Sequence, residues 1–321
     1  MASVRCLTFI VTATFLAGSA LAAEIEVEAP GPQGSLRGTF VPPAPSGPIV
    51  LIIPGSGPTD RDGNNPLGLQ AATYALLAEA LSAHGIGSLR IDKRGMFGSA
   101  AAVDDANAVT IADYVSDIEA WLAVLDQRGE NHCIWLLGHS EGGLVALAAA
   151  QRNLPICGLV LVAAPGVPIA DVFRRQFRAS PEFAPLLDKA LVVLDSLEAG
   201  RPVDAESLDP ALAGIFHHSV QGFLIDLFSY NPVALARSYD GPALVLQGAR
   251  DLQIPVDDAR RLDEALVNSE LVLLDAANHV LKSVDSDDRT ANTATYADPA
   301  LPLAPGAADA IVRFVESPTA Q

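Results

Sequence analysis

"LLGHSEGGLVAL", Leu136 to Leu147, carries an apolar run into a Gly-His-Ser-Glu-Gly-Gly turn and out into a second apolar run. The residues from Cys133 to Leu137 read as a buried strand, and those from Glu141 to Asn153 as a helix. Gly138, Gly142 and Gly143 leave room for a sharp turn between the two, which would stand the Ser140 hydroxyl at the top of a sheet. A Gly-x-Ser-x-Gly match is weak by itself, because a serine in that place can simply cap the helix. The surroundings have to decide.

Runs rich in Val, Ile and Leu recur at Ile49 to Ile53, Ser88 to Asp92, Gly158 to Ala163, Ala243 to Gln247 and Leu271 to Leu274, with helical patterns between them. That alternation predicts a parallel sheet covered by helices on both faces. Thr110 caps a helix whose Ile111, Tyr114, Val115, Ile118, Leu122 and Leu125 share one face. Glu24 to Glu28 and Ser35 to Val41 alternate around a Pro/Gly turn and predict an antiparallel hairpin leading the sheet.

Between Gly166 and about Ser238 the alternation stops. Ser180-Pro181-Glu182 starts a helix that ends at Gly200, a second covers Leu212 to Ser229, and Asn231-Pro232 opens a third. The expected organisation is therefore a signal peptide over 1–22, a core domain over 23–165 and 239–321, and a helical lid over 166–238.

A serine hydroxyl is a poor nucleophile unless a base takes its proton and an acid orients that base. Asp251 follows the strand Ala243 to Gln247, and His279 follows the strand ending near Leu274, so both sit where the loops of an open α/β sheet gather around ligands. Ser140, Asp251 and His279 are thus the candidate triad. Asp240 precedes its strand, Asp257 and Asp258 begin the next helix, and Asp275 is too near His279 in sequence to turn back on it without a tight fold. In Pro54-Gly55-Ser56-Gly57, small residues let backbone N–H groups face the site, so the N–H groups of Ser56 and Glu141 are the candidate oxyanion hole.

At this point the chain resembles the α/β-hydrolase superfamily, and within it the lidded bacterial carboxylesterases and their serine aminopeptidase relatives. The resemblance rests on "PGSGPTDRDGN" (Pro54 to Asn64), "LRIDKRG" (Leu89 to Gly95), "GHSEGG" (Gly138 to Gly143), "GARDLQIP" (Gly248 to Pro255) and "NHVLK" (Asn278 to Lys282), in the family's order. It spans the chain after the signal segment except the lid. One departure is Pro54, which stands where many relatives have a histidine before the oxyanion glycine. The resemblance implies an α/β-hydrolase fold, a mostly parallel central sheet flanked by helices, and acyl transfer without a cofactor or metal.

Half of the 321 residues are hydrophobic and only 18% are charged, which suits a packed globule. The net charge of -18 opposes binding to nucleic acid or anionic membranes, which need a basic surface. Arg5, the apolar run Leu7 to Leu16 and Ala20-Leu21-Ala22 predict a secretory signal cut near Ala22, and hence a periplasmic or secreted product with no stable membrane insertion. Cys133 and Cys157 open neighbouring strands; because the alignment does not set them opposite each other, two buried thiols are expected rather than a bridge.

Other polar residues have plainer readings. Asp60 to Asn64 begins like a calcium loop, but Asn65 and Ala71 occupy the glycine and glutamate positions. Asp92-Lys93-Arg94 suits a salt-bridged loop better than a substrate carboxylate site. His139 reads as a satisfied core histidine, Glu141 as an exposed carboxylate at a helix N-terminus, and His217 and His218 as residues pointing apart. The expected function is hydrolysis of small-molecule carboxylic esters. A serine aminopeptidase would need lid carboxylates such as Glu182, Asp188, Asp195 and Glu198 to hold a substrate ammonium, and a non-enzymatic binding module would more often have lost a triad member.

Overall fold

A computed structural model of the chain describes residues 22–128, 132–286 and 288–317. Apart from Ala22, the expected signal segment lies outside them. A single eight-stranded sheet has the order β1-β2-β4-β3-β5-β6-β7-β8. β1 (Ile25–Pro30) and β2 (Ser35–Val41) form the antiparallel hairpin, and β2 pairs antiparallel with β4 (Gly87–Ile91). From there β3 (Ile49–Ile53), β5 (Ile134–His139), β6 (Gly158–Val162), β7 (Ala243–Gly248) and β8 (Ser269–Leu274) continue in parallel. The chain therefore has the α/β-hydrolase type of sheet, with the carboxyl ends of every strand but β2 at one edge.

The strands β3 to β7 are buried at every position, as runs without alternation require. Their side chains still divide by the pleat. Val50, Ile52, Trp135 and Leu137 pack with α1 (Thr73–Ala83) and α11 (Ala307–Val315), whereas Leu51, Leu136 and Leu161 pack with α2 (Ile111–Asp126) and α3 (Glu141–Ala150). Thr110 caps α2 as its sequence suggests: its Oγ1 accepts from Asp113 N–H, and the Asp113 carboxylate accepts from Thr110 N–H.

Between β6 and β7 lie α4 (Ile169–Ala179), α5 (Leu187–Glu198), α6 (Ala213–Phe216), α7 (His218–Phe228) and α8 (Pro232–Arg237); α9 (Val256–Ala265) and α10 (Arg289–Ala294) follow β7 and β8. Three details differ from the sequence reading. Helix α4 begins well before Ser180, and Pro181–Leu186 is a 3-10 turn. The stretch expected as one helix over Leu212 to Ser229 breaks at His217, whose ψ of 142° is extended. As the cap of α7, His217 is free of helical geometry, so its ring lies 4.0 Å from that of His218 instead of pointing away.

The cysteines need the larger correction. Cys133 and Cys157 are joined as a disulfide, with Cα atoms 5.6 Å apart. The strand register sets Trp135 beside Gly158, so both cysteines fall just before the paired residues. The one-residue offset still leaves their Cα atoms within the separation a disulfide spans.

Candidate active site

The turn at Ser140 is strained. Its φ of 54° and ψ of -123° lie outside the regions a non-glycine residue favours, a conformation that costs on the order of 1–3 kcal/mol and is characteristic of functional turns. Backbone bonds hold it there: Ser140 N–H donates to the Val162 carbonyl (2.9 Å) and its own carbonyl accepts from Gly143 N–H (2.9 Å). Glycine is required on either side. A Cβ on Gly138 would lie 2.2 Å from the Gly142 carbonyl oxygen, and one on Gly142 would lie 2.3 Å from that of Ile53.

Ser140 lies beyond the carboxyl end of β5 in mid-sheet, and the loops after β3, β7 and β8 bring up the other candidates. The Asp251 carboxylate accepts a hydrogen bond from His279 Nδ1 at 2.8 Å. It also accepts from the N–H groups of Gln253 (2.7 Å) and Ile254 (2.9 Å) and from Gln247 Nε2 (3.0 Å). Burial alone would raise its pKa, but the His279 charge and the hydrogen bonds from His279 and from the Ile254 and Gln253 N–H groups outweigh it and hold the carboxyl below the usual range. With Nδ1 engaged, Nε2 is the ring nitrogen His279 offers to the cavity. Asp275, by contrast, is exposed.

Ser140, His279 and Ser56 line one cavity of about 350 Å³. Ser56 and Leu67 also line a second, larger one of about 740 Å³, whose walls are mostly apolar and include Tyr114, Phe173, Phe223, Leu224 and Leu227. Among the described residues, neither Ser56 N–H nor Glu141 N–H donates to a backbone carbonyl. Glu141 opens α3, where backbone N–H groups have no partner inside the helix.

The Glu141 side chain is not exposed. It is 2% accessible and lies 3.7 Å from Lys93 Nζ, which itself donates to the Gly55 carbonyl at 2.7 Å. The expectation of a solvated carboxylate fails because β4 is parallel and adjacent to β3, so the loop after β4 delivers an ammonium beneath the turn. The rest of that loop is held by ion pairs: Arg94 grips Asp117 with two bonds of 2.8 and 2.7 Å, and Asp92 holds Arg61 at 3.0 Å.

His139 is a buried link, together with Tyr74, which no motif marks. His139 Nε2 bonds the His279 carbonyl (2.8 Å), and because a carbonyl only accepts, that nitrogen carries the proton. Nδ1 is then the acceptor for the Tyr74 hydroxyl (2.9 Å), and the Tyr74 oxygen accepts Gly55 N–H (3.0 Å). Burial, with the His279 charge adding to it, pushes His139 down to about 3, so the ring stays neutral. A single chain of hydrogen bonds thus joins the Gly55 loop to the backbone of His279.

The family model described as serine aminopeptidase, S33, matches residues 67–283. Esterase EstD of Thermotoga maritima is 27% identical over 258 residues, which are 77% of this chain and 58% of that protein. The chain thus spans a little over half the length of this relative. The structure is also similar to the α/β hydrolase GrgF from Penicillium sp. sh18, at a TM-score of 0.56 and 22% identity over 80% of this chain and 91% of that one. Est1E from Butyrivibrio proteoclasticus, in a form with ferulic acid bound, gives a TM-score of 0.55 and 17% identity over 88% and 96% of the two chains. These two likenesses are of fold. With the family model extending over residues 67–283 of 321, the chain belongs to the serine aminopeptidase S33 family of α/β-hydrolases.

Proposed function

We propose that the protein is an exported serine hydrolase that cleaves carboxylic esters through Ser140, His279 and Asp251. The observation that carries this reading is the Asp251–His279 hydrogen bond facing a cavity shared with the strained Ser140. His279 Nε2 takes the Ser140 proton as Oγ attacks the acyl carbon, Asp251 stabilises the imidazolium, and the N–H groups of Ser56 and Glu141 hold the oxyanion. The alcohol leaves with the proton from His279. Water then adds to the acyl-enzyme, giving its proton to His279, which passes it to the departing Ser140 oxygen.

The helices over 166–238 act as a lid, since Phe173, Gly214, Ile215 and α7 residues wall the larger cavity. That apolar space takes an acyl or alcohol group of some bulk. The aminopeptidase alternative is disfavoured by the distribution of charge. Among the described residues none of Glu182, Asp188, Asp195 or Glu198 lines either cavity, and Asp195 and Glu198 pair with Arg174. The one carboxylate that the described residues place in the walls, Glu141, already faces Lys93. Export is supported by the disulfide, which persists in oxidising compartments.

The test is turnover by the purified mature protein of nitrophenyl esters from acetate to dodecanoate, beside aminoacyl nitroanilides. Ester hydrolysis that favours the longer acyl groups is expected. Turnover of the anilides alone would overturn the assignment in favour of an aminopeptidase.

A further inference from the structure

Among the described residues, Lys93 and Glu141 are the one cation and the one carboxylate in the walls of the apolar cavity, and their side chains are only 5% and 3% exposed. A buried ion pair seldom stabilises a fold, because desolving two charges offsets their attraction. The geometry here is not even that of a close pair. At 3.7 Å the two charges stand apart, and the short bond from Lys93, at 2.7 Å, goes to the Gly55 carbonyl.

That carbonyl shares its peptide group with Ser56 N–H. In a trans peptide the C=O and N–H point in opposite directions, and no cis bond occurs among the described residues. Anchoring the Gly55 oxygen on the ammonium therefore turns the Ser56 N–H away from Lys93, in a loop that lines the cavity it shares with Ser140. Tyr74 fixes the preceding peptide by accepting Gly55 N–H at 3.0 Å, so the loop is pinned on both sides. A charged donor on the carbonyl also polarises the amide and makes its N–H a stronger donor. Burial lowers the pKa of Lys93, and the charge on Glu141 opposes that shift.

We propose that Lys93 and Glu141 are positioning residues for the oxyanion hole: Lys93 sets the Gly55–Ser56 peptide so that Ser56 N–H faces the substrate carbonyl oxygen, while the Glu141 carboxylate holds the Lys93 side chain in place and its backbone supplies the second N–H. This rests on the ester-hydrolase reading above. One pair of side chains thereby ties together both donors, through a Lys93–Gly55 contact that spans 38 residues of sequence.

The experiment compares wild type, Lys93→Met and the double variant Lys93→Met/Glu141→Gln. It measures kcat and KM on an acyl ester, inhibition by a trifluoromethyl ketone that adds to the serine, and the melting temperature. Loss of one oxyanion donor costs on the order of 10²–10³ in kcat, so Lys93→Met should lose about that much with KM little changed, and ketone affinity should weaken in parallel. The double variant also removes the carboxylate left unpaired in the single one, so it should regain thermal stability without regaining kcat. It carries the test if Lys93→Met does not fold. A double variant with kcat near wild type would overturn the proposal, as would a Lys93→Met effect confined to KM. A wild type that neither turns over esters nor binds the ketone would instead refute the hydrolase reading on which the proposal stands.

Discussion

Replacing His139 with glutamine should change how stability depends on pH. In the folded protein burial holds His139 near 3, whereas its ordinary value is 6.5. Below that ordinary value the unfolded chain binds a proton that the native site refuses, so stability is full above it and is lost as pH falls. The slope approaches about 1.4 kcal/mol per pH unit and accumulates to about 2 kcal/mol by pH 5. His139→Gln lacks this titration. Glutamine can replace only part of the bonding to the Tyr74 hydroxyl and the His279 carbonyl, so one buried group is left unpaired. That costs about 1–3 kcal/mol at pH 8. Urea denaturation of both proteins from pH 8 to pH 5 should therefore show a less stable variant at the alkaline end and curves that converge on acidification. Parallel curves would refute the buried neutral imidazole and the hydrogen-bond chain built on it.

Asp251→Asn should keep the fold and lower kcat by roughly 10⁴-fold, while Asp275→Asn leaves it nearly intact; steady-state kinetics on one ester decide, and the reverse ranking would move the acid. Reduction of the Cys133–Cys157 bridge, which closes a loop of 24 residues, should lower stability by about 3 kcal/mol, read as a shift in urea midpoint that a Cys133→Ala/Cys157→Ala variant reproduces without reductant. Leu224→Trp fills the apolar cavity and should cut turnover of dodecanoyl esters roughly 10–200-fold while sparing acetyl esters; an equal loss on both would place the acyl chain elsewhere.

Much of the architecture was legible in the pattern of residues. The bounds of β2 and β3 match the sequence reading, because turn residues delimit both runs. The apolar run marks β8 only from Leu271, because the strand begins with Ser269 and Glu270 at a partly exposed edge, where apolar runs give no signal. Helix α4 goes unannounced for another reason: Pro168 at its start makes no side-chain cap, and its polar face carries Arg174, Arg175 and Arg178, whose partners come only with the folded chain, as Asp258 does for Arg175. The break at His217 was hidden because apolar spacing continues across it.

Within the candidate site, Ser140, Asp251 and His279 are marked in the sequence by lying just past strand ends. The Lys93–Glu141 contact does not. It depends on β3 and β4 being neighbours, which sets the ends of two loops side by side, and no local spacing records that adjacency. Tyr74 is equally silent in sequence, since its partners Gly55 and His139 are 19 and 65 residues away.

The central claim is that Ser140 forms the acyl-enzyme. Treating the mature protein with a fluorophosphonate and mapping the adduct by mass spectrometry tests it most directly, with ester turnover of Ser140→Ala measured alongside. The account predicts one adduct on Ser140, no labelling of the variant, and a loss of turnover on the order of 10⁶-fold. An adduct on another residue, with Ser140→Ala still fully active, would contradict it.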